Sequence, residues 1–167
     1  MLETERLCFR PYTMDDLKFV MTMTSDPDMM RFIGNGAVWT REETTQRLQG
    51  WIERYRDGLG TGLLVAVKKS NGELIGHAGL VAQVVEGQEE IEIGYWVAKK
   101  YWGHGFATEA ALAMRDHGLS QLGQKRMVSL IQFDNHPSAN VAQKIGMVFE
   151  RKILYKGKEI ALYALTR

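Results

Sequence analysis

The stretch Lys100-Tyr101-Trp102-Gly103-His104-Gly105-Phe106-Ala107-Thr108-Glu109 decides how this chain is read. It follows an alternating run that ends in Gly94-Tyr95-Trp96-Val97 and opens an alanine-rich run of helical spacing. Gly103 and Gly105, one residue apart, permit backbone angles and close approaches that a Cβ would block. Such a turn can aim several backbone N–H groups at one point. A helix beginning at Phe106 and Ala107 adds its unpaired first-turn N–H groups and the positive end of its dipole, which suits an anion such as a pyrophosphate. The alternative that stays open here is a plain tight turn into a helix.

Three kinds of diphosphate site share that description. A P-loop needs Lys-Ser or Lys-Thr directly after its second glycine, and Phe106-Ala107 stands there instead. ATP hydrolysis is therefore disfavoured. A dinucleotide fingerprint needs a third small residue at the next spacing and an acidic residue about twenty positions on. Thr108 takes the third position, but the later segment is the basic Gly123-Gln124-Lys125-Arg126. A dinucleotide-binding oxidoreductase is thus a distant reading, and the pyrophosphate of coenzyme A is the third.

Lys100-x-x-Gly103-x-Gly105 resembles the Gln/Arg-x-x-Gly-x-Gly/Ala signature of the GNAT superfamily of acyl-CoA-dependent N-acetyltransferases. The longer string Glu92-Ile93-Gly94-Tyr95-Trp96, continued by Trp102 to Ala110, resembles its RimJ/RimL branch. Two further blocks fall in order: Leu2-Glu3-Thr4-Glu5-Arg6-Leu7 with Arg10-Pro11, and Asn135-His136-Pro137-Ser138 followed by Gln143-Lys144-Ile145-Gly146-Met147. The resemblance covers nearly the whole chain. It implies a mixed α/β fold, the GNAT acyl-CoA N-acyltransferase fold, with a central twisted mixed sheet that contains a splayed strand pair and is flanked by helices. It also implies acetyl-CoA as co-substrate and an amine as acceptor.

Composition agrees with one domain over residues 1–167, long enough to bury a single substantial core. Lys+Arg 21 against Asp+Glu 20 leaves a formal charge of +1, which carries no nucleic-acid or membrane signal. The single cysteine, Cys8, cannot form an internal disulfide and is expected as a buried thiol, which favours a reduced, cytoplasmic setting. Glu3 and Glu5 stand where a signal segment would be basic and then apolar, and no apolar run approaches the length of a membrane span. The four histidines lack metal-ligand spacing, so no metal is expected.

In order, a strand is expected over Arg6–Arg10, stopped by Pro11, then a helix capped by Thr13 with Leu17, Val20, Met21 and Thr24 on one side. Residues 29–38 lack a period and are expected as a loop, which in the family borders the acceptor site. Thr40 and Glu43 form a capping box for a helix whose face is Thr44, Leu48, Trp51, Ile52 and Tyr55. After Gly58 to Gly62 come strands over 63–67, 74–81 and 90–97. A helix over 106–122 carries Ala107, Ala111, Met114 and Gly118 on one side, small residues that allow close packing on a sheet. A strand over 127–133, a short helix opened by Pro137 and ended by Gly146, and a terminal hairpin around Lys156-Gly157-Lys158 complete the order.

Acetyl transfer to an amine requires a neutral nitrogen. An alkylamine of pKa about 10.4 is only about one part in a few thousand neutral at pH 7, a deficit of roughly 4 to 5 kcal/mol. A base must take that proton. Glu90 and Glu92 share strand parity before Gly94, and Glu92 matches the family's strand glutamate base; the alternative is a solvated or ion-paired carboxylate. Gly94 inside a strand suggests a bulge or close approach. By resemblance, a bulge there splays two parallel strands, and backbone groups of Tyr95, Trp96 and Val97 pair with the pantetheine arm of CoA. One of those N–H groups would hold the oxyanion.

By the same resemblance the N–H groups from Trp102 through Gly103, His104, Gly105, Phe106, Ala107 and Thr108 meet the CoA pyrophosphate. Asn135 meets pantetheine; Lys144 and Lys100 are candidates, by their charge, for CoA phosphates, the alternative being solvated surface lysines. Many family members protonate the departing thiolate with a tyrosine where this chain has Ala142. Ser138 is then the candidate acid; its alternative role is to cap the short helix. The chain reads as an acetyl-CoA-dependent N-acetyltransferase, active by direct attack in a ternary complex, as monomer or homodimer. The acceptor is a protein amino terminus or a small amine, and Asp26 and Asp28 could draw a cationic one. The other reading, suggested by Ala142, is a non-catalytic acyl-CoA-binding module.

Overall fold

Leu7 and Phe9 are buried while Cys8 and Arg10 are only partly so, the two-residue period of a strand with one face on a core. Cys8, expected buried, therefore lies only partly buried on the opposite face. A computed structural model describes residues 2–56 and 60–167; residues 57–59, part of the glycine-rich break expected from Gly58, fall outside the described residues. The strands are β1 (Leu7–Pro11), β2 (Gly62–Lys68), β3 (Leu74–Val85), β4 (Gln88–Val97), β5 (Arg126–Ile131), β6 (Val148–Tyr155) and β7 (Lys158–Thr166). They form one sheet in the order β1-β2-β3-β4-β5-β7-β6. Among the described residues only β4 and β5 run parallel, so the sheet is mixed, as expected.

The helices are α1 (Leu17–Thr24), α2 (Pro27–Met30), α3 (Arg41–Arg56), α4 (Phe106–Ser120) and α5 (His136–Lys144). α3 begins where the capping box predicts: Thr40 Oγ1 accepts from the Glu43 N–H at 3.1 Å, and Glu43 Oε2 accepts from the Thr40 N–H at 2.7 Å. Tyr12, Val20, Leu48 and Val65 join α1 and α3 to one face of the sheet. α4 and α5 cover the other, where Leu80, Ile93, Ala110, Ala111, Met114, Met127 and Ala142 form the main core. Gly118 shows why α4 carries small residues: a Cβ there would stand 2.6 Å from Met127 Sδ and 3.2 Å from Leu80 Cδ1.

Two expectations change. β3 continues beyond Val81 to Val85, because β4 starts earlier than expected and pairs it to the end, with Glu86 and Gly87 turning the hairpin at positive φ. The bulge expected at Gly94 is absent from the β3–β4 ladder, which runs unbroken from Gly76 opposite Val97 to Val85 opposite Gln88. The strand pair is nevertheless splayed. The β4–β5 ladder consists of a single parallel pair, Glu92 opposite Val128. What opens the sheet is therefore loss of pairing on the β5 side, with β4 regular along β3.

Candidate functional site

Trp102 ends a 3₁₀ turn (Lys99–Tyr101), and the chain then passes through Gly103 at φ +77° and Gly105 at φ +79°. Both lie in the left-handed region that costs a side-chain-bearing residue about 1 to 2 kcal/mol. Gly105 is the N-cap of α4, and the first helical bond is Glu109 N–H to Gly105 O at 3.1 Å. Among the described residues, no hydrogen bond occupies the N–H groups of Gly103, His104, Gly105, Phe106, Ala107 or Thr108. A Cβ on Gly103 would project into open space, with nothing within 4 Å. Unpaired donors facing open space at a helix N-terminus fit a diphosphate.

The side chains of this turn face away from it. His104 Nδ1 lies 2.8 Å from Trp102 O and 3.2 Å from Tyr101 O; both partners are acceptors, so Nδ1 carries the proton. Trp102 Nε1 donates to Val97 O at 2.7 Å. Phe106 is buried with its ring edge-on to Tyr101. Arg6, which attracts no notice as a site residue in the sequence, braces the turn from behind. Its Nη1 donates to His104 O at 2.9 Å, its Nε to Glu109 Oε2 at 2.6 Å, and its guanidinium stacks on Phe106 at 4.2 Å. Burial pushes the Glu109 carboxyl up, but hydrogen bonds from Thr4 and Arg6 hold it below its ordinary range.

The edge of β4 that faces β5 follows from the ladder. Successive residues of a strand direct their N–H and C=O to opposite edges. Ala98 N–H bonds Ile75 O, and Trp96 O points at Gly76, so the even-numbered residues serve β3. Trp96, expected to offer its backbone to pantetheine, therefore has none to offer. Ile93 O accepts from Ser129 Oγ and Val97 O from Trp102 Nε1, which leaves the Tyr95 N–H and C=O and the Val97 N–H turned to the gap. Tyr95 itself spans the gap: its hydroxyl donates to Ser138 O at 2.9 Å.

At the start of α5 the roles differ from expectation. Asn135 is the N-cap, its Oδ1 accepting from the Ser138 N–H at 3.3 Å, so the helix-capping alternative for Ser138 does not hold. The Ser138 hydroxyl makes no hydrogen bond among the described residues, and Asn135 keeps its Nδ2 donor. Ala142 is fully buried in the core. Lys144 is exposed in the last turn of α5, beside Ile145, whose carbonyl accepts from Arg115 in the third turn of α4. That point lies roughly 14 Å along α4 from its start, so Lys144 is not brought to the glycine turn. Lys100 is committed elsewhere as well: its Nζ bonds Glu73 Oε1 at 2.9 Å, and Lys100, Tyr101 and Asn71 pull the Glu73 carboxyl down to about 2.

Glu92 stands beside the single β4–β5 pair, on the face of β4 opposite α4. Burial pushes its carboxyl above the ordinary range, while Gln83, the Leu130 N–H and Lys156 oppose that rise. Glu90 is instead tied to Arg126 at 3.0 Å, which settles it as an ion-paired carboxylate. Beyond Glu92 the floor is bare at Gly94, where an added Cβ would meet only Leu63 Cδ2 at 3.9 Å. Trp96 then rises with Trp39, Trp51 and His77 in one aromatic cluster, the His77 and Trp96 rings 4.6 Å apart. Residues 32–39 cross this face, tied to Gln132 through Phe32 O, to Lys158 through Gly34 O and to Thr24 O through the Trp39 N–H. Asp26 caps α2 and Asp28 pairs with Lys99, so each carboxylate already has an internal partner.

A family model described as an acetyltransferase (GNAT) domain matches residues 6–148. The chain is 38% identical over 139 residues to the uncharacterized protein YkkB of Bacillus subtilis, covering 83% of this chain and 79% of that one. It is 30% identical over 161 residues to the uncharacterized N-acetyltransferase YnaD of the same organism, with 95% and 90% covered. Among solved structures, a GNAT-family acetyltransferase from Bacillus anthracis superposes with a TM-score of 0.81 at 28% identity, over 99% of this chain and 97% of that one. The RimL ribosomal L7/L12 alpha-N-protein acetyltransferase solved with coenzyme A shares the fold, with a TM-score of 0.79 at 19% identity over 98% and 95% of the two chains. With its glycine turn, its parted β4 and β5 and a family match over most of its length, the chain belongs to the GNAT family of acetyltransferases.

Proposed function

We propose that this protein, acting as a single domain, transfers an acetyl group from acetyl-CoA to a primary amine by direct attack in a ternary complex, with Glu92 as the base. The observation that carries the reading is the relation of two features: β4 and β5 part immediately after the Glu92–Val128 pair, and the unpaired N–H groups at Gly103–Thr108 lie on the chain that leaves β4. Bound acetyl-CoA supplies the activated thioester. The turn and the first turn of α4 hold its pyrophosphate by backbone donors and the helix dipole. The Tyr95 backbone and the Val97 N–H line the gap, where one N–H polarises the acetyl carbonyl and holds its developing negative charge. Asn135 contacts the pantetheine arm through its uncommitted Nδ2.

Glu92 takes the proton of the acceptor. Its raised affinity for protons brings it closer to the amine's and makes it a better base than an exposed carboxylate. Tyr95 is not the acid for the leaving thiolate, since its hydroxyl already donates to Ser138 O and burial holds its proton tightly. The unengaged Ser138 hydroxyl is the donor of choice there. The acceptor enters over Gly94, between the Trp96 wall and the β6–β7 turn. It is a protein amino terminus or a small amine.

The test is release of free thiol from acetyl-CoA against a panel of amino-terminal peptides, polyamines, aminoglycosides and amino acids, with products weighed by mass spectrometry. Amine-dependent thiol release with an acetylated product supports the reading. Tight acetyl-CoA binding with no transfer to any amine would replace it with a binding module.

A further inference from the structure

Glu92 is held from the side by a residue that the reaction as described does not use. Gln83, on β3, donates from Nε2 to Glu92 Oε2 at 2.7 Å, and its Oε1 accepts from the Tyr155 hydroxyl at 2.9 Å. The two bonds together set which way the amide points, because the carboxylate needs a donor and the tyrosine proton needs an acceptor. A flipped amide would press its oxygen against the carboxylate. Three separate elements, β3, β4 and the end of β6, thus meet in one chain of hydrogen bonds that ends on Glu92.

We propose that Gln83 is a positioning residue of the transfer: locked by Tyr155, its amide keeps the Glu92 carboxylate charged and aimed in one direction until it accepts the proton of the amine. The inference rests on the reading of Glu92 as the base. In that step the N–H bond of the acceptor ammonium breaks, its electron pair stays on nitrogen for the attack, and the proton forms an O–H bond on Glu92. The groups that face Glu92 are Gln83 from β3, the Leu130 N–H from β5 and Lys156 from the β6–β7 turn, while Tyr95, on the opposite face of β4, feels it only through space. Glu90, on the same face as Glu92, is neutralised by Arg126. Burial raises the proton affinity of Glu92 and Gln83 is the first of the groups that oppose it, which agrees with the geometry.

The experiment follows the Glu92 carboxyl directly, by carbon NMR of protein labelled at glutamate, with Glu92 identified by the signal lost in Glu92→Gln. Its titration is compared in wild type, Gln83→Met, Tyr155→Phe and the double variant. Removing the charged hydrogen bond in Gln83→Met should move the titration up by about one pH unit. Tyr155→Phe should move it less and in the same direction, and the double variant should match Gln83→Met alone, because Tyr155 acts only through Gln83. Unchanged titration in folded Gln83→Met overturns the proposal; should that variant not fold, unchanged titration in Tyr155→Phe does so. Neither result touches the identity of the base, which is decided separately by the pH dependence of kcat/KM in Glu92→Gln.

Discussion

Arg6 and Glu109 are joined twice across 103 residues of sequence: the Arg6 N–H donates to Glu109 Oε1 at 2.9 Å and its Nε to Oε2 at 2.6 Å. The pair fixes the first strand block against the first turn of α4, and the same guanidinium holds His104 O. Arg6 therefore shapes the anion cradle without standing in it. Because the guanidinium is substantially exposed, the loss is modest: Arg6→Met should weaken CoA binding by about fivefold, roughly 1 kcal/mol. Calorimetric titration with CoA checks this, and an unchanged affinity would make the brace irrelevant to the cradle.

Glu92→Gln should lower kcat/KM by about a hundredfold or more near neutral pH. The sign of the pH dependence follows from the base having to be ionised. In the wild type kcat/KM rises with pH through a carboxyl group that burial lifts above its ordinary 4.5. The variant loses that limb, and its deficit shrinks as the pH approaches the amine's own pKa of about 10.4. Retention of the wild-type limb in Glu92→Gln would return Glu92 to a structural role.

His77 predicts how stability responds to acid. Burial lowers its pKa from 6.5 to about 3, and its Nδ1 is bonded to the Tyr12 hydroxyl at 2.9 Å inside the aromatic cluster. Between those values the unfolded chain binds a proton that the folded one refuses, so stability is full above pH 6.5 and falls as the pH drops toward 3. Asp16 and Glu109, whose carboxyls are held low, add acid sensitivity only once the pH falls through their ordinary values of 3.8 and 4.5 and below. Glu92 works in the opposite sense. Melting temperatures of wild type should fall from pH 6.5 toward the carboxylate range, while His77→Gln, less stable at high pH, should change little there. Equal slopes in the two proteins would contradict the assignment.

Features that depend on neighbouring residues could be read in the sequence. The glycine turn and the Thr40–Glu43 box have their physical cause within a few positions. The family blocks point to Glu92 and Asn135, which lie at the β4–β5 parting and at the start of α5. What escaped depends on distant partners. Nothing near Arg6 announces Glu109, and nothing near Gln83 announces Glu92 or Tyr155. The backbone of Trp96 is not legible, because alternation shows which face a side chain takes, whereas the use of its backbone depends on which edge meets β3. The cap at Asn135 is legible from its place before His136-Pro137.

The measurement that tests the account most directly is calorimetric titration of acetyl-CoA into wild type and Gly103→Glu. The substitution sets a carboxylate in the open space above the turn, and it also forces a side chain into a backbone conformation that favours glycine. A circular dichroism melt of each protein guards against a folding defect. The account predicts clear binding by wild type and none by a folded Gly103→Glu. Equal affinity in the two would mean that the diphosphate is held elsewhere, and the site described here would be wrong.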